Sequence, residues 1–215
     1  MKICIGYIAV VGYLGVLILF ASYLYHEKNV EQNITRKIIH IGSLLTWFMM
    51  VYFFGTSIHL VILPLIFIFV NLISHKFKII KAMERDDSSS IGTIYYAISM
   101  FLMSLLTYFK HDFLPYYGIG YLVMAVGDGL AGIIGRKGKQ KIGNSDKTYV
   151  GSLTIIISSF IIILAFDIYY KLGLSLMGIL FYSLLSAVLE FYGKKGTDNL
   201  ILPLGISVLS YLLKL

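Results

Sequence analysis

Charged residues punctuate the chain and divide it into long apolar runs. Residues 3–25 carry no charge, and about 20 apolar residues suffice for a helix to cross a bilayer. Lys2 gives this run the outline of a secretory leader. It is too long for a leader's apolar region and no small-x-small cleavage site follows, so it reads as a first span. Residues 38–75 again contain no Lys, Arg, Asp or Glu, and Gly55-Thr56-Ser57 divides them into two spans joined by a tight turn. Further spans are expected at 91–109, 116–134, 148–166, 172–190 and 199–213. The pattern predicts an all-α, polytopic transmembrane bundle of about eight helices, with residues 1–215 forming a single integral membrane domain.

The polar intervals give that bundle a direction, because cytoplasmic loops collect Lys and Arg. Lys28, Arg36 and Lys37 lie between spans one and two; Lys76, Lys78, Lys81 and Arg85 lie between three and four. Arg136, Lys137, Lys139, Lys141 and Lys147 lie between five and six, and Lys194 and Lys195 between seven and eight. Fourteen of the 18 basic residues therefore share one side, which predicts both termini on the non-cytoplasmic side. The formal charge of +7 is accounted for by topology, and no nucleic-acid partner is expected.

Composition agrees. The chain is 58% apolar and 13% charged, against about 25% charged in soluble domains. The single cysteine, Cys4, excludes an internal disulfide and a cysteine zinc cluster. Asp86-Asp87-Ser88-Ser89-Ser90 reads as a solvated loop whose serine caps the fourth helix. The tyrosines and phenylalanines are expected mainly at lipid-facing and interfacial positions, and His26, His59, His75 and His111 at interfacial or packing ones.

Carboxylates inside a membrane are costly and mark interior or water-filled sites. Asp128 lies inside the fifth span, roughly 10 Å from its cytoplasmic end at about 1.5 Å per residue. Ala131, Gly132 and Gly135 follow it at helical spacing and leave its face bare, open either to a ligand or to a packed helix around a paired Asp. The same stretch spells G-x-G-x-x-G, but a dinucleotide fingerprint requires a preceding strand and a βαβ unit.

Three further features converge on that layer. Arg36-Lys37-Ile38-Ile39-His40 opens the second span, where cations oppose the helix dipole and a bound phosphate would relieve the conflict. Lys147-Thr148-Tyr149-Val150-Gly151-Ser152 opens the sixth span after the basic loop and offers charge, hydroxyls and backbone N–H groups to phosphates. Glu190 ends the seventh span, and Asp198-Asn199 precedes the eighth. A few carboxylates beside many cations suit Mg²⁺ with a polyphosphate; anchoring, helix capping and loop solvation are the plainer readings of the same residues.

In order, R-K-x-x-H, G-D-x-x-A-x-x-x-G-R, K-T-x-x-G-S and E…D-N-L-x-x-P resemble the membrane-bound CTP-dependent lipid kinases, which include phytol, dolichol and yeast-type diacylglycerol kinases. The carriers are Arg36, Lys37 and His40; Gly127, Asp128, Ala131, Gly135 and Arg136; Lys147, Thr148, Gly151 and Ser152; and Glu190, Asp198, Asn199, Leu200 and Pro203. Gly92 and Tyr96 match the family's G-x-x-x-Y element, and Val150 resembles the phytol kinase branch. The resemblance implies CTP as donor, Mg²⁺ on Asp128 and Asp198, and a lipid alcohol as acceptor. Glu190 or Asp198 would be the second carboxylate or the base, with Lys147, Arg136, Arg36 and Lys37 on the triphosphate. The chain is expected in the cytoplasmic membrane of a prokaryote. CDP-diacylglycerol synthases share the middle motifs, but end in D-R-x-D where this chain has Thr197-Asp198-Asn199-Leu200. A transporter would place its polar site near the midplane between repeats, and no repeat is visible.

Overall fold

The computed structural model describes residues 1–83, 91–143 and 145–215. Among them the architecture is all-helical. We number the helical spans α1 Lys2–Glu27, α2 Gln32–Phe54, α3 His59–Phe77, α4 Gly92–Phe109, α5 His111–Lys137, α6 Tyr149–Tyr170, α7 Leu176–Tyr192 and α8 Asp198–Leu213. The first six are long and apolar enough to cross a membrane, whereas α7 and α8 are shorter apolar helices. At about 1.5 Å per residue, α8 reaches roughly 24 Å, short of the ~30 Å hydrocarbon core. The protein is a multi-pass membrane protein.

Four polar contacts between separate segments lie at one end of the bundle. Lys37 meets Asp128, Arg136 meets Glu31 (2.8 Å), Lys147 meets Glu190, and Asn199 Nδ2 donates to Gly92 O (3.0 Å). Tyr7 with His59 and Tyr211 with Asp112 mark the opposite end. The loops richest in Lys and Arg thus share one face, as the charge pattern requires.

α5 is the central post: 72% of its apolar window is buried, against 11% for α1. Glycines allow its neighbours to close on it. A Cβ on Gly118 would stand 2.4 Å from Phe166, and one on Gly120 would stand 2.0 Å from the Ser207 hydroxyl. Without a hydrophobic drive between helices in lipid, such close packing and interhelical hydrogen bonds hold the bundle. Large apolar side chains such as Ile8, Phe69 and Leu184 face outward.

Several boundaries differ from those expected. α2 begins at Gln32 rather than 38 because its first turns are amphipathic, with Thr35 and Ile39 buried. α7 starts at Leu176, after Gly173 turns the chain at φ +76° and Ser175 caps the Gly178 N–H. The turn at Gly55 occurs as expected, with φ +57°. The N-cap of α4 is Ile91; the serine expected to cap it, with Asp86 and Asp87, lies outside the described residues. Tyr117, Tyr121 and Tyr182 are fully buried, exceptions to the lipid-facing and interfacial positions expected for most tyrosines.

Candidate functional site

Two helices lose their regularity at the same level. α2 is interrupted at Ser43, and α5 widens into a π-helical turn over Val123–Asp128. Such turns expose backbone groups that an α-helix would consume. The Met124 carbonyl accepts a hydrogen bond from His40 Nε2 at 2.9 Å, which fixes the proton on that nitrogen. The same nitrogen lies 3.5 Å from Asp128 Oδ2.

Asp128 itself is buried, only 3% exposed. The Lys37 ammonium donates to its Oδ2 at 2.6 Å and to its backbone carbonyl at 3.1 Å. The Lys37 stem crosses Gly132, where an added Cβ would lie 2.4 Å from Cε. Gly135 meets Gly151 across the α5–α6 crossing, with the Thr148 hydroxyl donating to the Gly135 carbonyl at 2.9 Å. The bare face beside Asp128 is therefore filled by α2 and α6, and its carboxylate is paired.

That pairing revises the dipole argument for Arg36 and Lys37. Both lie beyond the first turn of α2, where the dipole has decayed, and Asp128 answers Lys37 directly. The opening of α6 is likewise committed locally: Thr148 caps the Gly151 N–H at 3.1 Å, Tyr149 N–H donates to Gln140, and Ser152 N–H donates to Thr148. Arg136 pairs with Glu31 at the exposed surface. Ala131 and Gly127 are buried in α5 against its neighbours.

Beside the Lys37–Asp128 pair stands a second one. Lys147, from the connection into α6, binds Glu190 at the end of α7, and Glu190 is 6% exposed. Burial works against the Lys147 ammonium, but the Glu190 carboxylate outweighs it and holds the lysine above its ordinary pKa of 10.5. Asp128 and Asp198 add to that effect, so the charged groups form one electrostatic unit. Asp198, 4% exposed, sits in the first turn of α8, where its carboxylate favours the helix dipole. The structure therefore brings Lys37, His40, Asp128, Lys147, Glu190, Asp198 and Asn199 together at one end of the bundle. Among the described residues, no group of three or more His, Cys, Asp or Glu side chains is placed to hold a metal ion alone.

A cleft of about 140 Å³ opens from this cluster. Its polar end is formed by Arg36, Lys37, His40, His75 and Asn199, and its body by Leu14, Ile18, Phe67, Val70 and Met100. Between them Tyr96 hydrogen-bonds Ser43 at 2.5 Å, while Tyr121 donates to the Ser43 carbonyl at 2.7 Å. These contacts secure the break in α2. Sequence reasoning missed Ser43, Asn71, His75 and Tyr121 as cleft residues. Asn71, a lone amide within an apolar span, carried the signal.

No family model matches the chain, and no solved structure does. It is 29% identical over 209 residues to a phytol kinase of Synechocystis sp., covering 93% of this chain and 87% of that protein. A probable chloroplastic phytol kinase of Oryza sativa is 27% identical over 212 residues, covering 87% of this chain and 66% of its own length. An uncharacterised protein of Methanocaldococcus jannaschii is 39% identical over 122 residues, covering 56% of this chain and 58% of its own length.

Proposed function

We propose that this chain, a member of the phytol- and dolichol-kinase type of membrane lipid kinases, transfers the γ-phosphate of CTP to the hydroxyl of a lipid alcohol. One observation carries the reading: an apolar cleft reaches Lys37 and His40 at the bundle's basic end, where the Lys37 ammonium is held by the buried Asp128 carboxylate. An alcohol with a long apolar body fits both parts, its tail against Phe67 and Met100 and its hydroxyl towards His40 and Lys37. Phytol is the alcohol named for the relatives, and a polyprenol or diacylglycerol shares the same chemistry. The basic loops support reading this end as the cytoplasmic one, in keeping with a nucleotide donor and with the cytoplasmic membrane of a prokaryote.

Phosphoryl transfer needs mainly positioning and charge neutralisation. Lys37 and Lys147, with Arg36 at the mouth, supply positive charge for the triphosphate. The lipid oxygen bonds to the γ-phosphorus as the bond from that phosphorus to the β–γ bridging oxygen breaks. CDP leaves with the electron pair, and the hydroxyl proton passes to Glu190 or Asp198. Asp128 and Asp198 are buried carboxylates at the same end of the bundle, and magnesium takes one or two carboxylates plus phosphate oxygens and water, so these two would hold it. Bound there, it would neutralise phosphate charge. The Lys37–Asp128 bond aims the carboxylate, while the His40–Met124 bond fixes the wall beside the hydroxyl.

The test is purified protein with Mg²⁺, lipid alcohols and phosphatidic acid, in parallel reactions with CTP labelled at the γ- or the α-phosphate. Passage of γ-label to an alcohol is expected. Passage of α-label to phosphatidic acid would replace the kinase with a cytidylyltransferase.

A further inference from the structure

The cleft must be reached from the bilayer, and the helices around it differ in how they close. α1 packs along α2, where Tyr13 donates to the Gly42 carbonyl at 2.7 Å, and α3 packs along α4. α1 and α3 do not pack on each other along their lengths, yet both line the cleft, through Leu14 and Ile18 on one side and Phe67 and Val70 on the other. Among the described residues, their hydrogen-bonded and bridging ties lie at the ends of the seam. At the non-cytoplasmic end the Tyr7 hydroxyl meets His59 Nδ1 at 3.0 Å, beside Phe54. At the cytoplasmic end Lys81–Met83 bridges the gap: Ala82 packs with Ala21 and Ile39, and the Thr35 hydroxyl donates to its carbonyl at 3.1 Å.

We infer that the seam between α1 and α3 is the doorway by which the lipid acceptor passes from the membrane into the cleft, with Leu14, Ile18, Phe67 and Val70 as its jambs. The inference rests on the proposed kinase reading for the identity of the passenger. The physical grounds are those of any buried site for an amphiphile. A tail that never leaves hydrocarbon forfeits no hydrophobic stabilisation, and a side opening lets the hydroxyl travel to the charged end while the tail stays in lipid. Phe67 and Leu14 are half-buried apolar side chains that pack against the core without bonding to it, so they can yield. Counting from the helix starts at about 1.5 Å per residue, Leu14 lies roughly 18 Å along α1 and Val70 roughly 16 Å along α3. The doorway therefore sits near mid-membrane, with its polar destination towards the basic end.

Two measurements test it. In a Cys4→Ser background, Leu14→Cys and Phe67→Cys would be joined by a cleavable bis-maleimide. Phosphorylation of the lipid alcohol should fall about tenfold or more, as for a locked gate, and return on cleavage. An undiminished rate in the joined protein overturns the doorway. Separately, a diazirine-bearing isoprenoid alcohol in nanodiscs should label Leu14, Ile18, Phe67 and Val70, with that labelling competed by excess unmodified alcohol. Competed labelling confined to another seam, such as that between α6 and α7, also overturns it. Competed labelling at the jambs by a protein that transfers no phosphate would preserve the doorway and sink the kinase.

Discussion

Replacing Gly132 with Ala separates the chemistry from the fold. The added methyl would stand 2.4 Å from Lys37 Cε and 3.0 Å from Nζ, against an ordinary contact of about 3.5–4.0 Å between carbons. The lysine stem must therefore retreat by roughly an ångström or more, and the 2.6 Å bond to Asp128 lengthens beyond hydrogen-bonding range. A hydrogen bond between charged groups is worth about 1.5–3 kcal/mol. Misplacement by about 1 Å within a catalytic constellation costs around 10²-fold in rate. The fold is largely spared, because the displaced atoms end a flexible side chain, and Ala gains about 1 kcal/mol over Gly in a helix interior. Gly135→Ala is the control. Its methyl would meet the Gly151 backbone at 2.9 Å, which cannot swing aside, so α5 and α6 must part and the melting temperature fall. The assay is γ-label transfer alongside thermal unfolding in detergent. A Gly132→Ala protein with wild-type turnover would refute the claim that Lys37 must sit on Asp128.

Further outcomes follow from the same contacts. Thr148→Ala removes an N-cap and the bond to the Gly135 carbonyl; it should lower stability by about 1–2 kcal/mol, with Thr148→Ser restoring most of it in thermal unfolding. Lys147→Met leaves Glu190 buried without its cation, a loss of up to about 3–5 kcal/mol for a buried pair, at the low end here because Lys147 remains 29% exposed. The Lys147→Met/Glu190→Met double variant should recover part of that loss, and a cycle without coupling would show that the pair does not stabilise. Because the Lys147 pKa is raised in the fold, its stabilisation is full below the ordinary 10.5 and is lost as pH climbs through the raised value. Unfolding scans at alkaline pH should show that loss in the wild type and not in Lys147→Met.

Much of this was legible in the chain. Charge-poor runs gave the eight helices, because charge is costly within a membrane helix, and the positions of Lys and Arg gave the shared end. Asp128 stood out for the same reason, and the motif order pointed to Lys37, His40, Glu190 and Asp198. The tertiary consequences of small residues were less visible. Gly132 and Gly135 read equally as an open groove or as crossings, and only the positions of Lys37 and Gly151 decide. The π-helical turn at Val123–Asp128 has no periodicity to betray it, since one extra residue in a turn leaves an apolar run looking apolar. His75 and Asn71 gained meaning once α3 was placed beside the cleft. Tyr117, Tyr121 and Tyr182 were misplaced because composition favours the interface for tyrosine, whereas a bundle with much glycine has room for large aromatic side chains within.

The central claim is that Lys37, at the polar end of the cleft, and the Asp128 carboxylate that holds it mark where phosphate is transferred. Asp128→Asn tests it most directly, because the amide keeps the shape and Lys37 retains the Asp128 backbone carbonyl as partner. With γ-labelled CTP and the best lipid acceptor, the variant should remain folded and lose about 10²–10³-fold or more of its turnover, as when a key electrostatic group is removed. Transfer by a folded Asp128→Asn protein at the wild-type rate would contradict the account.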